Sequence, residues 1–147
     1  MIIRKVLLSD IDELIDLCIN HAKYEKTYFD IKNKKGSLIK HLFSEANDLQ
    51  CLVVENNQKL MGYSVFMKQF STWDASFYVY MDCLYLEEAI RGLGVGKEFM
   101  KKIREYAIDN GCKEIQWQTP YFNKQAINFY NKLGAQSKTK ERFFWKV

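Results

Sequence analysis

The chain has 147 residues, a formal net charge of +4, and 48% hydrophobic against 27% charged residues. That length suits one domain, and that balance excludes a disordered or fibrous chain. No apolar run reaches membrane-spanning length and the first residues, MIIRKVLLSD, lack the apolar stretch of a signal peptide, so a cytoplasmic protein without a membrane partner is expected.

Residues 2–6 read as a short strand. Ser9 is the predicted N-cap of the first helix, with Asp10 and Asp12 in its first turn, where carboxylates suit the helix dipole. Ile11, Leu14, Ile15, Cys18, Ile19 and Ala22 recur at spacings of three and four, which gives that helix one apolar face. A shorter helix is predicted over 37–45, with Leu38, His41 and Leu42 on one side. Residues 51–54 and 60–70 read as a hairpin across the polar turn 55–59. A turn at 71–74 leads into a strand over 77–86. That run is aromatic and apolar almost throughout, as expected of a central strand covered on both faces, and Asp82 is its one carboxylate.

A glycine-rich segment follows, then a helix over about 95–110 with Val95, Phe99, Ile103 and Ala107 on its apolar face and Gly111 just past its end. Residues 113–119 read as a strand closed by Pro120, 123–133 as a helix ended by Gly134, and 141–147 as a last strand. No repeat, low-complexity tract or linker interrupts the order, so residues 1–147 are expected to form a single α/β (α+β) domain with several antiparallel hairpins.

The four cysteines, Cys18, Cys51, Cys83 and Cys112, are too widely spaced for a metal-binding pair and read as buried free thiols. No metal is expected, and free thiols fit a reducing cytoplasm. Lys32, Lys34 and Lys35 cluster, but one short cluster is not the basic stripe of a nucleic-acid-binding protein, so no nucleic-acid partner is expected. His21 and His41 read as helix-packing or surface residues.

A strand, a glycine-rich turn and a helix make an anion site, because glycine lets the backbone approach phosphate and the helix N-terminus supplies N–H donors and a positive dipole. Two nucleotide motifs fail on spacing. In the P-loop pattern Gly96-Lys97 would be followed by Ser or Thr, and Glu98 stands there; Arg91 stands where the first glycine belongs. In the dinucleotide pattern the third glycine would be Lys97 or Phe99. What remains is Arg91-Gly92-Leu93-Gly94-Val95-Gly96.

This segment resembles the coenzyme-binding motif of the GNAT superfamily of N-acetyltransferases, written Q/R-x-x-G-x-G/A. The strand ahead of it, Glu87-Glu88-Ala89-Ile90, Asn123, and Asn128-Phe129-Tyr130-Asn131-Lys132-Leu133-Gly134-Ala135 extend the likeness over nearly the whole chain. Ser71-Thr72-Trp73, Tyr80-Met81-Asp82 and Leu84-Tyr85-Leu86 are most like the spermidine/spermine (diamine) branch. The chain departs from that branch at Asp82, where Glu is usual, and at Cys83, where a second acidic residue is usual.

The resemblance implies a mostly antiparallel central sheet of about six to seven strands flanked by about four helices, acetyl-CoA as co-substrate, and a homodimer. It implies that Arg91, Gly92, Leu93, Gly94, Val95, Gly96, Lys97 and Asn123 contact the coenzyme, with the backbone of Leu84, Tyr85 and Leu86 along its pantetheine arm. Tyr130 would protonate the leaving thiolate; on periodicity alone it reads as a core aromatic, and only the motif context reverses this. Asp82 would bind the amine or accept its proton, or else simply face solvent. Tyr24, Tyr28 and Trp73 either line an acceptor pocket, since aromatic faces attract amines, or pack in the core. The implied reaction is acetyl transfer to a small polyamine-like or diamine-like primary amine. The alternatives are an aminoglycoside-like or protein amine acceptor, a non-catalytic coenzyme A sensor, and a nucleic-acid-binding domain.

Overall fold

The computed structural model describes residues 1–46 and 49–147. In chain order it contains β1 (Ile2–Lys5), α1 (Ile11–Tyr24), α2 (Lys34–Leu42), β2 (Gln50–Asn56), β3 (Lys59–Ser71), β4 (Ser76–Leu86), α3 (Val95–Asp109), β5 (Ile115–Trp117) and α4 (Lys124–Lys132). The strands lie in the order β1-β2-β3-β4-β5. Neighbours from β1 to β4 pair antiparallel, and β5 pairs parallel to β4 after the α3 crossover.

The mixed α/β class is as the sequence predicts, with four α-helices among the described residues. The sheet has five strands there, fewer than the six to seven expected. The missing strand is the one predicted over 141–147. Those residues are irregular and exposed, with Phe143, Phe144 and Trp145 open to solvent. Three aromatics in succession do not sort onto two faces, and a strand needs a partner edge. The neighbouring β5 is only Ile115–Trp117, shorter than the 113–119 expected.

α1 begins one residue later than predicted, and Ser9 is not its cap. Asp10 is the N-cap residue, and its carboxylate turns back from the helix rather than bonding to its first N–H groups. It accepts from the Leu7 N–H at 2.7 Å and from the Arg4 guanidinium at 2.6 and 3.0 Å, while Arg4 also donates to Glu55 at 2.8 Å. Arg4 holds the buried Asp10 carboxyl below the usual carboxylate range. α2 begins three residues before its predicted start, after Asn33 in a left-handed conformation (φ 63°).

Two helical layers cover the sheet. Leu14, Ile15 and Leu17 of α1 pack on Val53, Leu60, Tyr63 and Tyr85. Val95, Phe99, Ile103 and Ala107 of α3, the four positions predicted, are all buried on the other face. Phe99 packs on Val54, and Ile103 on Phe66, Val79 and Met81.

One irregularity positions everything that follows. Val65 pairs with Cys83, but Phe66 pairs with Met81, so Asp82 is an extra residue in β4. This β-bulge inverts the alternation of the strand. Val79 and Met81 face the α3 side, yet beyond Asp82 it is Leu84 and Leu86 that do so, while Cys83 and Tyr85 turn to α1.

Phe99 is fully buried. Phe99→Ala is expected to cost about 3–5 kcal/mol of unfolding free energy, measured by urea denaturation, through lost transfer energy and the cavity left behind.

Candidate active site

β5 pairs with β4 only at Val79, Tyr80 and Met81. Past the bulge the two strands separate. Among the described residues no strand pairs with 82–86 on that side, so the Leu84, Tyr85 and Leu86 backbone borders an opening between β4 and β5. The glycine segment closes one end. Arg91 donates from Nε to the Leu86 carbonyl at 2.8 Å, which ties the loop to the end of the strand.

Gly92 (φ 77°) and Gly94 (φ 84°) take left-handed conformations that side chains resist, and a Cβ at either would meet only open space. Glycine is therefore needed there for the backbone path, and the vacant side leaves room for a ligand. Gly94 is the N-cap of α3, whose first intrahelical bond runs from the Glu98 N–H to the Gly94 carbonyl at 3.2 Å. The N–H groups of Val95, Gly96 and Lys97 are thus the orphan donors of a helix N-terminus, aimed where the dipole is positive. Leu93 and Lys97 are exposed beside them. Gly96 has a different task. A Cβ there would lie 3.0 Å from Phe129 Cζ, so its absence lets α4 approach the first turn of α3.

α4 forms the far wall. Asn123 caps it, its Oδ1 accepting from the Ala126 N–H at 3.1 Å. The same oxygen accepts from the Tyr24 hydroxyl at 3.1 Å, which joins the end of α1 to the start of α4 across the opening. The Arg91 guanidinium lies 4.4 Å from the Tyr24 ring centre and 5.6 Å from that of Tyr85. Arg91, Tyr24 and Asn123 thus link the loop, α1 and α4.

Tyr130 sits between Trp117 and Phe129, with ring centres 4.8 and 5.1 Å away, and packs on the cluster that contains Met81. Burial, and then the charge of Glu25, push its phenol well above the ordinary value, so it keeps its proton throughout the neutral range. Asp82 is exposed on the bulge, and its Oδ2 lies 3.5 Å from the Cys83 thiol. Tyr28 and Trp73 are not brought to this place. Tyr28 is 85% exposed in the loop after α1, and Trp73 is 95% exposed at the tip of the β3–β4 hairpin. Six strand residues separate that hairpin tip from Asp82, about 20 Å at 3.3 Å each.

Sequence reasoning assigns His21 only to packing or surface. In the structure it stacks on Tyr85, with ring centres 5.0 Å apart, and bonds to Tyr63 and Glu25. The four-residue spacing to Glu25 on one helix was the available signal.

Comparison with known proteins shows the family and the fold. The profile of the acetyltransferase (GNAT) family matches residues 11–135. Thialysine N-epsilon-acetyltransferase of Mus musculus is 30% identical over 145 residues, covering 93% of this chain and 85% of that protein. Spermidine/spermine N(1)-acetyltransferase-like protein 1 of Homo sapiens is 24% identical over 140 residues, 90% of this chain but 20% of that longer protein. The crystal structure of a possible acetyltransferase from Clostridium difficile 630 has the same fold, with a TM-score of 0.82 at 17% identity, covering 99% of this chain and 97% of that one.

Gly94→Ala is expected to lower stability by about 1–2 kcal/mol, read from the urea midpoint, because alanine at φ 84° meets its own backbone and nothing else. An unchanged midpoint would mean that the loop had moved to a different path.

Proposed function

The chain belongs to the acetyltransferase (GNAT) family and is an N-acetyltransferase, and from that premise we propose that it moves the acetyl group of acetyl-CoA directly to a primary amine of a small, polyamine-like or diamine-like molecule. The observation that carries this reading is the pairing of a glycine cradle at the α3 N-terminus with an unpaired β4 edge next to it. A diphosphate fits the first, because left-handed glycines and orphan N–H donors make an anion cradle. An amide-bearing arm fits the second, because free strand N–H and C=O groups accept a β-like partner.

In this reading the Val95, Gly96 and Lys97 N–H groups hold the pyrophosphate, with Gly92, Leu93 and Gly94 shaping the loop and the Lys97 ammonium beside it. Leu84, Tyr85 and Leu86 align the pantetheine arm. Bound acetyl-CoA supplies the thioester that the amine attacks. Arg91 is a strut rather than a free charge, since its guanidinium already holds the Leu86 carbonyl and stacks on Tyr24. Asn123 and Tyr24 position the α4 wall.

The amine must lose a proton to become a nucleophile. Asp82, the lone carboxylate on the strand edge, binds the ammonium and takes that proton. Tyr130 donates a hydrogen bond to the departing sulfur. Its raised proton affinity makes full transfer to a thiolate uphill, because an ordinary thiol has a pKa of about 8.5, below that of a phenol. Its contribution is therefore stabilisation of charge on sulfur during the step. The same reading includes a homodimer in the cytoplasm. Phe143, Phe144 and Trp145 present apolar surface that a second copy of the chain would cover. The four free cysteines suit a reducing compartment.

Tyr130→Phe is expected to lower kcat about tenfold or more with KM for acetyl-CoA little changed, the pattern of an interaction made only in the transition state. Unchanged kcat removes Tyr130 from the chemistry. Free-thiol release with a panel of diamines, polyamines, lysine-like amines and aminoglycosides tests the acceptor. The first three are expected to be turned over, and turnover of the aminoglycosides alone would overturn the assignment.

A further inference from the structure

Leu86 is the last residue of β4, and its side chain lies between two glycines. A Cβ added to Gly62 of β3, which pairs with Leu86, would stand 2.7 Å from Leu86 Cδ2. One added to Gly96 of α3 would stand 3.7 Å from Leu86 Cδ1. The backbone is closer still. The same Cβ on Gly62 would lie 2.6 Å from the Tyr85 carbonyl oxygen and 3.1 Å from Leu86 Cα. Gly62 is buried, so an added methyl group has no route to solvent. No side chain fits at 62 while the end of β4 stays where it is. Glycine inside a strand weakens it, and it marks a place where another backbone comes close.

β3 is irregular at the same point. Val54 of β2 pairs with Gly62 and Glu55 pairs with Leu60, so Met61 is an extra residue. The Met61 carbonyl accepts from the Glu87 N–H at 2.8 Å. The Leu86 carbonyl accepts from Arg91 Nε at 2.8 Å. Both polar groups of the Leu86–Glu87 peptide are therefore fixed, and the glycine slot fixes the side chain beside it.

We propose that Gly62 is a positioning residue that sets the offset between the β4 edge and the glycine cradle, and with it the affinity for a ligand that must reach both. The inference rests on reading that edge as the seat of the pantetheine arm. The two halves of the site are held differently. The cradle N–H groups belong to α3, which Val95, Phe99 and Ile103 anchor in the core. The edge belongs to β4 beyond its bulge, and among the described residues no strand supports its outer side. Its place is set from the inner side, by how closely β3 lets it approach. A methyl group at 62 pushes Tyr85 and Leu86 away from β3, while the cradle stays on α3. An offset of about 0.5 Å is enough to loosen a site that holds its ligand at both ends.

Acetyl-CoA and adenosine diphosphate separate the two halves, because the second carries the diphosphate without the arm. By calorimetry, Gly62→Ala is expected to weaken acetyl-CoA about tenfold and to leave adenosine diphosphate within about twofold of the parent. Equal loss of both ligands, or loss of neither, in the folded variant overturns the proposal and leaves Gly62 a matter of sheet packing alone. Leu86→Ala tests the same seat without crowding β3. It empties the slot and keeps every backbone bond, and the same selective loss of acetyl-CoA is expected. Parent-like acetyl-CoA binding in Leu86→Ala also overturns the proposal. In turnover, KM for acetyl-CoA is expected to rise in Gly62→Ala while KM for the amine stays within about twofold. The coenzyme assignment itself fails only if the parent chain does not bind acetyl-CoA, so the two failures are distinct.

Discussion

A strand that carries one residue more than its neighbour cannot keep both its pairing and its alternation. β4 resolves that conflict at Asp82, where Val65 and Phe66 of β3 face Cys83 and Met81. Two consequences follow from this single mismatch. The strand bends, so β5 pairs only below the bulge and the edge above it stays open. The side chains beyond it exchange faces, so Tyr85 and Cys83 meet α1 while Leu84 and Leu86 join the α3 layer. Were Asp82 paired in a regular ladder instead, Leu84 and Leu86 would turn to α1 in place of Cys83 and Tyr85.

The glycine segment depends on that opening as much as on its own residues. Left-handed turns at Gly92 and Gly94 aim the first N–H groups of α3, but donors are useful to a ligand only where the ligand can lie. The free edge of β4 supplies that path. Arg91 joins the two by bonding to the Leu86 carbonyl, where the strand ends. The first residue of the motif is therefore a fastening between loop and strand, a task for a side-chain N–H donor rather than for charge alone.

Local signals were legible in the sequence and non-local ones were not. The apolar face of α3 follows from the helical period, and the Gly111 and Gly134 stops follow from positive φ, because both are decided within a few residues. Asp82 stood out as a carboxylate in an apolar run. The bulge that gives it its place did not, since it is a disagreement between two strands and leaves no mark in either alone. Ser9 reads as the cap of α1 from the sequence, and the partner that holds Asp10 is Arg4, six residues before it. The aromatic residues 143–145 have strand-forming side chains, but no sequence of that kind makes a strand without an edge to pair with. Trp73 and Tyr28 are aromatic but exposed away from the site.

His21 shows the same limit from the other side. Its spacing on α1 fits a packing role, and it does pack, stacked on Tyr85. Its chemistry comes from Tyr63 and Tyr85, which lie 42 and 64 residues away and reach it only because the sheet brings them there. Tyr63 is nearly fully buried, so its hydroxyl must find its partners inside the protein. It finds the imidazole of His21, on the face to which the bulge turns Cys83. The residue that ends the pairing of β4 with β5 is therefore also the residue that turns Cys83 and Tyr85 toward α1.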